Sequence, residues 1–228
     1  NVGQNDHQNG HQCDAPVGAA AVNGGGAEGQ TDDGFIPHMA NHEIISKITQ
    51  PPVIAWGSYL VFEKSKDIVF LKSVFENNKK FLNWCHENRR QSENYLYTWL
   101  TTNEVNCRCD ECGMDNSPRF DKNTYLEAID FSCFMANECR YMAKIAAKLG
   151  DFEGEKYYNE WYNNIKAAIN NKLWSEEDGF YFDYDILDKK LHKVWSVASF
   201  LPLFAGICDG DKAEKLVSQL DVRCVVFA

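Results

Sequence analysis

The feature that most constrains the fold is a pair of apolar stripes separated by one helix-breaking glycine. In residues 125–146 and again in residues 158–169, apolar side chains recur three and four positions apart, as in helices that bury one face. Gly150 suits the left-handed residue that ends the first helix, and Asp151 suits the cap of the second. Because the connection is short, the two helices are predicted to pack as an antiparallel hairpin. The first stripe consists of Tyr125, Ile129, Ser132, Met135, Ala136, Cys139, Met142, Ala143 and Ala146.

Two more helices are predicted before this hairpin. Pro51 and Pro52 suit the first turn of one helix, because that turn tolerates residues without an N–H group. Asp67 suits the cap of the next helix, whose apolar stripe runs to a basic end at residues 86–90. The residues expected to be buried on the first of these helices are Val53, Trp56, Tyr59 and Leu60.

The segment after the hairpin is predicted to contain one small β element and two final helices. The aromatic alternation of residues 179–185 predicts a β-hairpin in which residues 189–193 form the returning strand. Residues 194–204 and residues 211–220 each have the pattern of a helix. Long helices in hairpins with one small β-hairpin indicate a mainly α protein, and the pattern suits an α/α toroid.

Residues 107–121 form an acidic, turn-rich loop between two helical patterns, and we call this segment the acidic loop. It contains the sequence Cys-Arg-Cys-Asp-Glu-Cys-Gly-Met-Asp-Asn-Ser-Pro-Arg-Phe-Asp. Gly113 supplies backbone freedom and Pro118 keeps Ser117 out of the helical region, so the segment is predicted to be a defined turn. Such a turn can aim a carboxylate, and the loop has four, those of Asp110, Glu111, Asp115 and Asp121.

Three segments of the chain resemble motifs of one clan of glycoside hydrolases. Residues 111–121 resemble the Glu-Ser-Gly-x-Asp-x-Ser-x-Arg-Trp motif of trehalases and glycoside hydrolase family 63, and the Met-Asp-Asn-Ser-Pro form favours family 63. Residues 33–38, Asp-Gly-Phe-Ile-Pro-His, resemble the clan's Asn/Asp-Gly-x-x-Pro-His, and residues 49–52, Thr-Gln-Pro-Pro, resemble its Ser-Gln-Pro-Pro. With further similar segments at 179–185 and 197–203, the resemblance covers roughly residues 33–220.

The resemblance implies a fold and a reaction. The implied fold is an (α/α)6 toroid, and because such a toroid has twelve helices and this chain is predicted to have about seven, the chain represents roughly its first half. The implied reaction is inverting, exo-acting hydrolysis of α-glucosides or α-mannosides, without a cofactor. The general acid falls on Asp115, while the general base is a glutamate in a segment beyond this chain.

The resemblance also implies which residues contact a carbohydrate. His38, Gln50, Trp56, Glu111 and Arg119 are the candidate substrate-binding residues. His38 and Gln50 carry neutral groups that donate and accept hydrogen bonds, which suits sugar hydroxyls, and Trp56 offers a ring that can stack on a pyranose. Each of these side chains also has a purely structural interpretation, and for a tryptophan at helical spacing that interpretation is packing in the core.

A general acid must be protonated near neutral pH, which places demands on its surroundings. We expect burial by Trp56, Trp99 or Phe120 to raise the pKa of Asp115. Because a cation touching Asp115 would oppose this, Arg119 is expected to pair with Glu111 or Asp121, or to reach substrate. Cys112 stands where the related motif has serine, which changes the hydrogen bonding available inside the loop.

Two other interpretations of the chain remain open. Cys107, Cys109 and Cys112 form Cys-x-Cys-x-x-Cys, which is compatible with part of a zinc site completed by His86 or His192, or with ordinary loop thiols. The chain as a whole is also compatible with a catalytically inactive helical fragment that binds carbohydrate or acts as a scaffold. A glutamate in an aromatic context downstream, completing twelve helices, would favour the enzyme.

Composition excludes several classes of partner. A net charge of −10 argues against nucleic acid or an anionic membrane, either of which needs a basic face to release counterions. No run approaches the roughly 18 apolar residues of a membrane span, and the start lacks the pattern of a secretory signal. The nine cysteines are an odd number, and several lie on apolar helix faces, which favours a reduced compartment and a cytoplasmic location. The oligomeric state is left open.

The predicted domain organisation has three parts. Residues 1–32 are rich in glycine and lack a lasting period, so they are predicted to be a disordered extension. Residues 33–221 are predicted to form the partial glycoside hydrolase domain. Residues 222–228 are a tail that matches no part of the resemblance.

Overall fold

The computed structural model describes residues 29–40, 45–101, 108–121 and 125–222, and within these ranges the protein is mainly α-helical. The helices are α1 (Ile54–Ser65), α2 (Ile68–Asn88), α3 (Ile129–Leu149), α4 (Phe152–Lys172), α5 (Leu201–Phe204) and α6 (Gly210–Val222). Residues 1–28 and 223–228, which make up most of the predicted extension and tail, lie outside the described residues.

The predicted helical hairpin is confirmed as α3 and α4. Gly150 ends α3 with φ 75°, and its N–H donates to the carbonyls of Ala146 and Ala147. Asp151 caps α4, since its side chain accepts from the N–H of Gly154 at 2.9 Å. The two helices pack along their length, and α3 also packs against α1, α2 and α5. Surrounded in this way, α3 lies at the centre of the core and positions the elements around it.

The helix α2 also begins as predicted. One carboxylate oxygen of Asp67 accepts from the backbone N–H groups of Val69 and Phe70, at 2.9 and 3.0 Å. The first residue of the helix, Ile68, is 47% exposed, and its buried residues, three and four positions apart or adjacent, are Leu71, Val74, Phe75, Asn78, Phe81, Leu82 and Cys85. Capping and periodicity were therefore sufficient to locate this helix.

The buried face of α1 differs from the prediction. Ala55, Ser58 and Phe62 are the buried residues of this helix. Val53 and Leu60, which were expected to be buried, are 38% and 48% exposed. The prediction was wrong because α1 is apolar on more than one side, and it packs on α2 and α3 through the side whose residues are mostly small.

Among the described residues, five short strands form two small antiparallel sheets. The strands are β1 (Leu126–Glu127), β2 (Trp174–Ser175), β3 (Phe180–Tyr181), β4 (Asp183–Asp185) and β5 (Lys190–His192). The predicted β-hairpin is confirmed as β4 and β5, with Tyr184 opposite Leu191. The sheet orders are β1-β4-β5 and β2-β3. Pairing of β1 with β4 brings the residues before α3 next to the aromatic segment that follows α4.

Two predicted helix boundaries were wrong. Tyr125 was assigned to the stripe of α3, but residues 126–127 pair with β4 and the helix begins only at Ile129. Residues 194–204 were predicted as one helix and instead contain a 3-10 turn, Val197–Phe200, followed by the single turn of α5. Ser196 caps the 3-10 turn, and Gly206 with φ 69° follows α5, so local capping limits the segment to short turns.

No helix among the described residues is long and apolar enough to cross a membrane.

Candidate active site

The acidic loop is a defined turn, as predicted, over its described residues 108–121. It contains two 3-10 turns, Asp110–Cys112 and Pro118–Phe120, and Gly113 between them has φ 73°. Ser117 is extended with ψ 132°, as expected for a residue before proline. The N–H of Arg108 donates to the carbonyl of Asp115 at 3.0 Å, so the loop closes on itself.

Cys112 makes the hydrogen bonds that a serine hydroxyl would make at this position. Its Sγ accepts from the N–H of Met114 and donates to the carbonyl of Cys109, both at 3.2 Å. A thiol has one weak donor and one weak acceptor, so it can replace a hydroxyl in both roles. The departure from the serine of the related motif therefore leaves the turn intact.

Asp115 lies at an exposed position of this turn. Within the described residues, its carboxylate makes no hydrogen bond or ion pair. The aromatic residues that were expected to bury it are engaged elsewhere. Trp56 packs against Phe204 at 5.1 Å, Trp99 stacks on Phe131 at 4.0 Å, and Phe120 is buried beneath the guanidinium of Arg119. The expected burial of Asp115 by these rings is not observed.

Glu111, in the same loop, is fully buried and holds three segments together. Its carboxylate accepts two bonds from Arg89, at 2.7 and 3.0 Å. It also accepts from the backbone N–H groups of Thr49, at 3.0 Å, and Leu100, at 2.8 Å. Glu111 was predicted to bind substrate, but with all four of these bonds made to protein groups at 0% exposure it supports the loop from inside. We call Glu111 and Arg89 the Glu111 cluster.

The three motif segments are joined through Thr49. While its N–H donates to Glu111, its hydroxyl donates to the carbonyl of Ile36 at 2.7 Å. The N–H of His38 donates to the carbonyl of Ile48, also at 2.7 Å. Gln50 and His38 are both half-buried beside these bonds, and Nδ1 of His38 has no hydrogen-bond partner in the described part of the chain. The structure thus brings His38 and Gln50 to the segment that Glu111 anchors.

Arg119 has different partners from those predicted. Its guanidinium makes two bonds to Asp130, at 2.7 and 2.9 Å, and two to Asp183, at 2.7 and 2.8 Å. All three residues are buried, and Arg119 itself is 1% exposed. The expected pairing with Glu111 or Asp121 is therefore wrong, and a role in contacting substrate is not supported by this geometry. We call Arg119, Asp130 and Asp183 the Arg119 cluster.

The Arg119 cluster connects the acidic loop to the core. Asp130 also accepts from the indole N–H of Trp99 at 2.9 Å, and Asp183 accepts from the N–H of Ile129 at 2.9 Å. Although burial alone would raise it, the pKa of Asp130 is lowered from its ordinary value by the Arg119 guanidinium. Although burial alone would lower it, the pKa of Arg119 is raised by the two carboxylates. Asp130 and Arg119 are therefore both favoured in their charged forms.

The sequence did not reveal either of the two carboxylates that pair with Arg119, those of Asp130 and Asp183. Asp183 lies in the aromatic alternation of residues 179–185, a pattern that predicts a strand and does not indicate an ion pair. Asp130 lies in the first turn of α3 between two apolar residues, Ile129 and Phe131, and an acid in such surroundings is a signal that a buried partner exists. That signal identifies the need for a cation but not which cation supplies it, because Arg119 lies outside the helix, in the acidic loop.

The cysteines of the acidic loop give no support to a metal site. Cys107 lies outside the described residues. Hydrogen bonding with Cys112 and burial raise the pKa of Cys109, so the protonated thiol is favoured in this structure. Among the described residues no group of three or more His, Cys, Asp and Glu side chains is placed to hold a metal ion.

A helical hairpin, joined motif segments and an exposed carboxylate on a braced loop are features that fit an α-helical glycoside hydrolase domain. Residues 27–225 match the sequence model of the family described as the mannosylglycerate hydrolase MGH1-like glycoside hydrolase domain. The chain belongs to that family.

The relatives of this chain are longer proteins. An uncharacterized protein of Borreliella burgdorferi is 27% identical over 169 residues, covering 74% of this chain and 33% of the relative. Family 63 mannosylglycerate hydrolase from Thermus thermophilus, in complex with glucose, is 23% identical with a TM-score of 0.72, over 85% of this chain and 61% of that one. Neutral trehalase from Saccharomyces cerevisiae is 19% identical with a TM-score of 0.64, over 75% and 44%. The chain therefore spans less than two thirds of each.

Proposed function

We propose that this domain is the acid-bearing part of an inverting, exo-acting glycoside hydrolase that cleaves α-glucosides or α-mannosides. Asp115 is the proposed general acid, and the general base is a glutamate outside this chain. The observation that carries the proposal is the contrast within one loop: the Asp115 carboxylate is exposed and has no hydrogen bond or ion pair to the residues that the structure describes, whereas Glu111 and Arg119 are buried and bonded to protein groups. Because buried bonds hold the turn in one conformation, its exposed carboxyl group can approach a bound ligand from a fixed direction.

The proposed reaction breaks one bond and forms one. The Asp115 carboxyl gives its proton to the glycosidic oxygen as the bond from that oxygen to the anomeric carbon breaks. The glutamate takes a proton from water, whose oxygen bonds to the anomeric carbon on the opposite face of the sugar. In inverting enzymes the two carboxyl groups stand roughly 6.5–9.5 Å apart to leave room for that water. The products are a free alcohol and a sugar of inverted configuration.

Substrate is proposed to complete the environment of the acid. Because Asp115 is exposed, the desolvation that keeps a general acid protonated has to come from the bound sugar and from the segment that carries the base. His38 and Gln50 are proposed to hydrogen-bond sugar hydroxyls, and Trp56, which is half-buried, to pack against the ring. Glu111 and Arg119 are assigned to support of the loop rather than to substrate.

The substrate class and the architecture are proposed by likeness. The solved relative from Thermus thermophilus is a mannosylglycerate hydrolase, and it has been crystallised with glucose and with D-glycerate. We therefore propose a hexose joined to a small, negatively charged or polar aglycone as substrate. The helices described above are proposed to be roughly the first half of an (α/α)6 toroid, which the likeness to mannosylglycerate hydrolase and trehalase supports.

The test is the variant Asp115→Asn in the full-length protein, assayed on mannosylglycerate and glucosylglycerate. An amide cannot donate the proton, so we expect the turnover number to fall by about 10²–10⁴-fold, with substrate affinity and Tm nearly unchanged. Asp110→Asn, an acid-to-amide change in the same loop, is the matched control and is expected to keep turnover within about threefold of wild type.

Two results would contradict the proposal. If Asp115→Asn kept more than a tenth of wild-type turnover, Asp115 would not be the general acid. If the wild-type protein bound these glycosides and hydrolysed none of them, the domain would be a carbohydrate-binding or scaffold module instead.

A further inference from the structure

The helix α1 begins without a cap from its own sequence. Val53 occupies the N-cap position, and its side chain makes no capping hydrogen bond. The first N–H groups of a helix have no partner within the helix, so a helix normally begins at Ser, Thr, Asp or Asn, whose side chain accepts from the second or third residue. In α1 those residues are Ala55 and Trp56, and Ala55 is fully buried.

A carboxylate from another helix supplies the missing cap. Glu138, in the middle of α3, accepts from the N–H of Ala55 at 2.7 Å and from the N–H of Trp56 at 3.0 Å. Its third donor is the amide of Asn78 in α2, at 3.0 Å. Glu138 is 0% exposed and Asn78 is 1% exposed. A single carboxylate therefore joins the start of α1 to the interior of α2 and α3.

The geometry requires an acceptor on both oxygens of Glu138. The N–H of Trp56 donates to one oxygen, and the N–H of Ala55 and the amide of Asn78 both donate to the other. Burial raises the pKa of Glu138, whereas its three donors and the positive end of the α1 dipole favour the ionised form. Because each oxygen faces a donor, an amide at this position would place its own N–H₂ against an N–H.

The segment that Glu138 holds is the one that carries two candidate substrate-binding residues. Thr49 is fixed at one end by Glu111 of the acidic loop, and Ala55 and Trp56 are fixed at the other by Glu138. Gln50 lies between these anchors, followed by Pro51 and Pro52, whose rings restrict the backbone. The buried carboxylates of Glu111 and Glu138 thus fix the two ends of the segment 49–56.

We propose that Glu138 is a positioning residue that sets where Gln50 and Trp56 stand relative to the loop bearing Asp115. The capping contact is seen in the structure, and only its effect on sugar binding rests on the function proposed above. Glu138 acts through backbone N–H groups, and it is not proposed to touch substrate. Displacing α1 at its first turn would move Trp56 directly and would loosen Gln50 through the rigid diproline.

The experiment compares Glu138→Gln with Asp67→Ala in the full-length protein. Asp67→Ala removes the cap of α2, which also consists of two bonds to backbone N–H groups, but α2 carries no candidate substrate-binding residue. Both variants are expected to lower Tm. Only Glu138→Gln is expected to raise the KM for mannosylglycerate and the Kd for glucose, by about tenfold and at most about 100-fold, with a smaller change in kcat.

A compensating substitution separates capping from mere packing. Val53→Asp places an acceptor at the N-cap of α1, where it can bond the N–H groups of Ala55 and Trp56. Added to Glu138→Gln, it is expected to recover most of the lost glucose affinity, whereas a core-packing role for Glu138 would not be rescued from the surface. If Glu138→Gln fails to fold, recovery of folding in the double variant provides the same evidence.

Hydrogen exchange of the Ala55 and Trp56 amides tests the contact without any assay of activity. Faster exchange in Glu138→Gln than in wild type, with Val69 and Phe70 unchanged, would support capping. Unchanged exchange at Ala55 and Trp56 would overturn it. Faster exchange with unchanged glucose affinity would overturn the positioning role alone. A wild-type protein that hydrolysed no glycoside would refute the proposed function while leaving the exchange result to decide the capping.

Discussion

The Glu111 cluster and the Arg119 cluster both support the acidic loop from below, but they differ in charge balance and in access to water. Glu111 pairs with one cation, Arg89, whose side chain is 11% exposed, and its other bonds are to backbone N–H groups. Arg119 is 1% exposed and serves two carboxylates, so that cluster carries a net charge of −1 in the interior. The first cluster ties chain segments to each other. In the second, one guanidinium pairs with two carboxylates, which also accept from the indole N–H of Trp99 and the N–H of Ile129.

This difference predicts unequal responses to loss of the central residue of each cluster. Breaking a buried ion pair by removing one partner leaves an uncompensated charge, which costs about 3–5 kcal/mol. In the Arg119 cluster two charges would be left at once, without a route to solvent. In the Glu111 cluster only one charge, that of Arg89, would be left; its side chain is 11% exposed and also donates to the carbonyl of Asn88.

The largest effect is therefore expected for Arg119→Met. We expect its free energy of unfolding in urea to fall by about 3–5 kcal/mol, because Asp130 and Asp183 would both remain buried without a cation. Arg108→Met is the matched control in the same loop. Its partner, Asp121, is 44% exposed at the side chain, so a loss of at most about 1 kcal/mol is expected. Equal losses in the two variants would show that the buried cluster is not special.

A smaller effect is expected for Glu111→Gln. The amide oxygen can keep one of the backbone donors, but the charge-assisted bonds from Arg89 are lost, which we estimate at about 1.5–3 kcal/mol in urea unfolding. Glu93→Gln, at a side chain that is 93% exposed, is expected to change stability by less than about 0.5 kcal/mol. A loss for Glu111→Gln as large as that for Arg119→Met would contradict the comparison between the clusters.

The smallest effect is expected from lowering the pH. The free energy of unfolding should change in opposite directions in wild type and in Arg119→Met. In wild type the pKa of Asp130 lies below its ordinary value of 3.8, so the unfolded chain binds more protons and stability falls as pH drops below that value. In Arg119→Met the carboxylates lose their cation, burial favours their neutral forms, and stability should rise as they take up protons. Free energies of unfolding, measured in urea from neutral to acid pH, should therefore converge for wild type and Arg119→Met. Parallel curves would contradict this account.

Most of the helical framework could be predicted from local sequence. Asp67, Gly150 and Asp151 each mark a helix end through a bond to a residue a few positions away, so the information is contained in a short window. The defined turn at Gly113 and Pro118 was predictable for the same reason. The β4–β5 hairpin followed from alternation over a few residues.

The buried charges and the packing of α1 could not be predicted in this way. The predicted partners of Arg119 were the nearby acids Glu111 and Asp121, whereas its partner Asp183 is 64 residues away in sequence. The face that α1 buries is chosen by its neighbours α2 and α3, because an apolar helix offers more than one suitable side. Local patterns identified which residues need partners, and only the tertiary arrangement determined which partners they have.

The separation of these contacts along the chain has a consequence for how the protein folds. The bonds from Glu111 to Thr49 and from Glu138 to Ala55 close loops of 62 and 83 residues, whereas the turn between α3 and α4 is closed by bonds across three to five residues. Long loops lose more entropy on closure and form more slowly than local contacts. The helical hairpin is thus an early, local product of the chain, while the geometry around Asp115 exists only once distant segments have found each other. By this argument the α3–α4 hairpin forms before the contacts of Glu111 and Glu138 that shape the candidate active site.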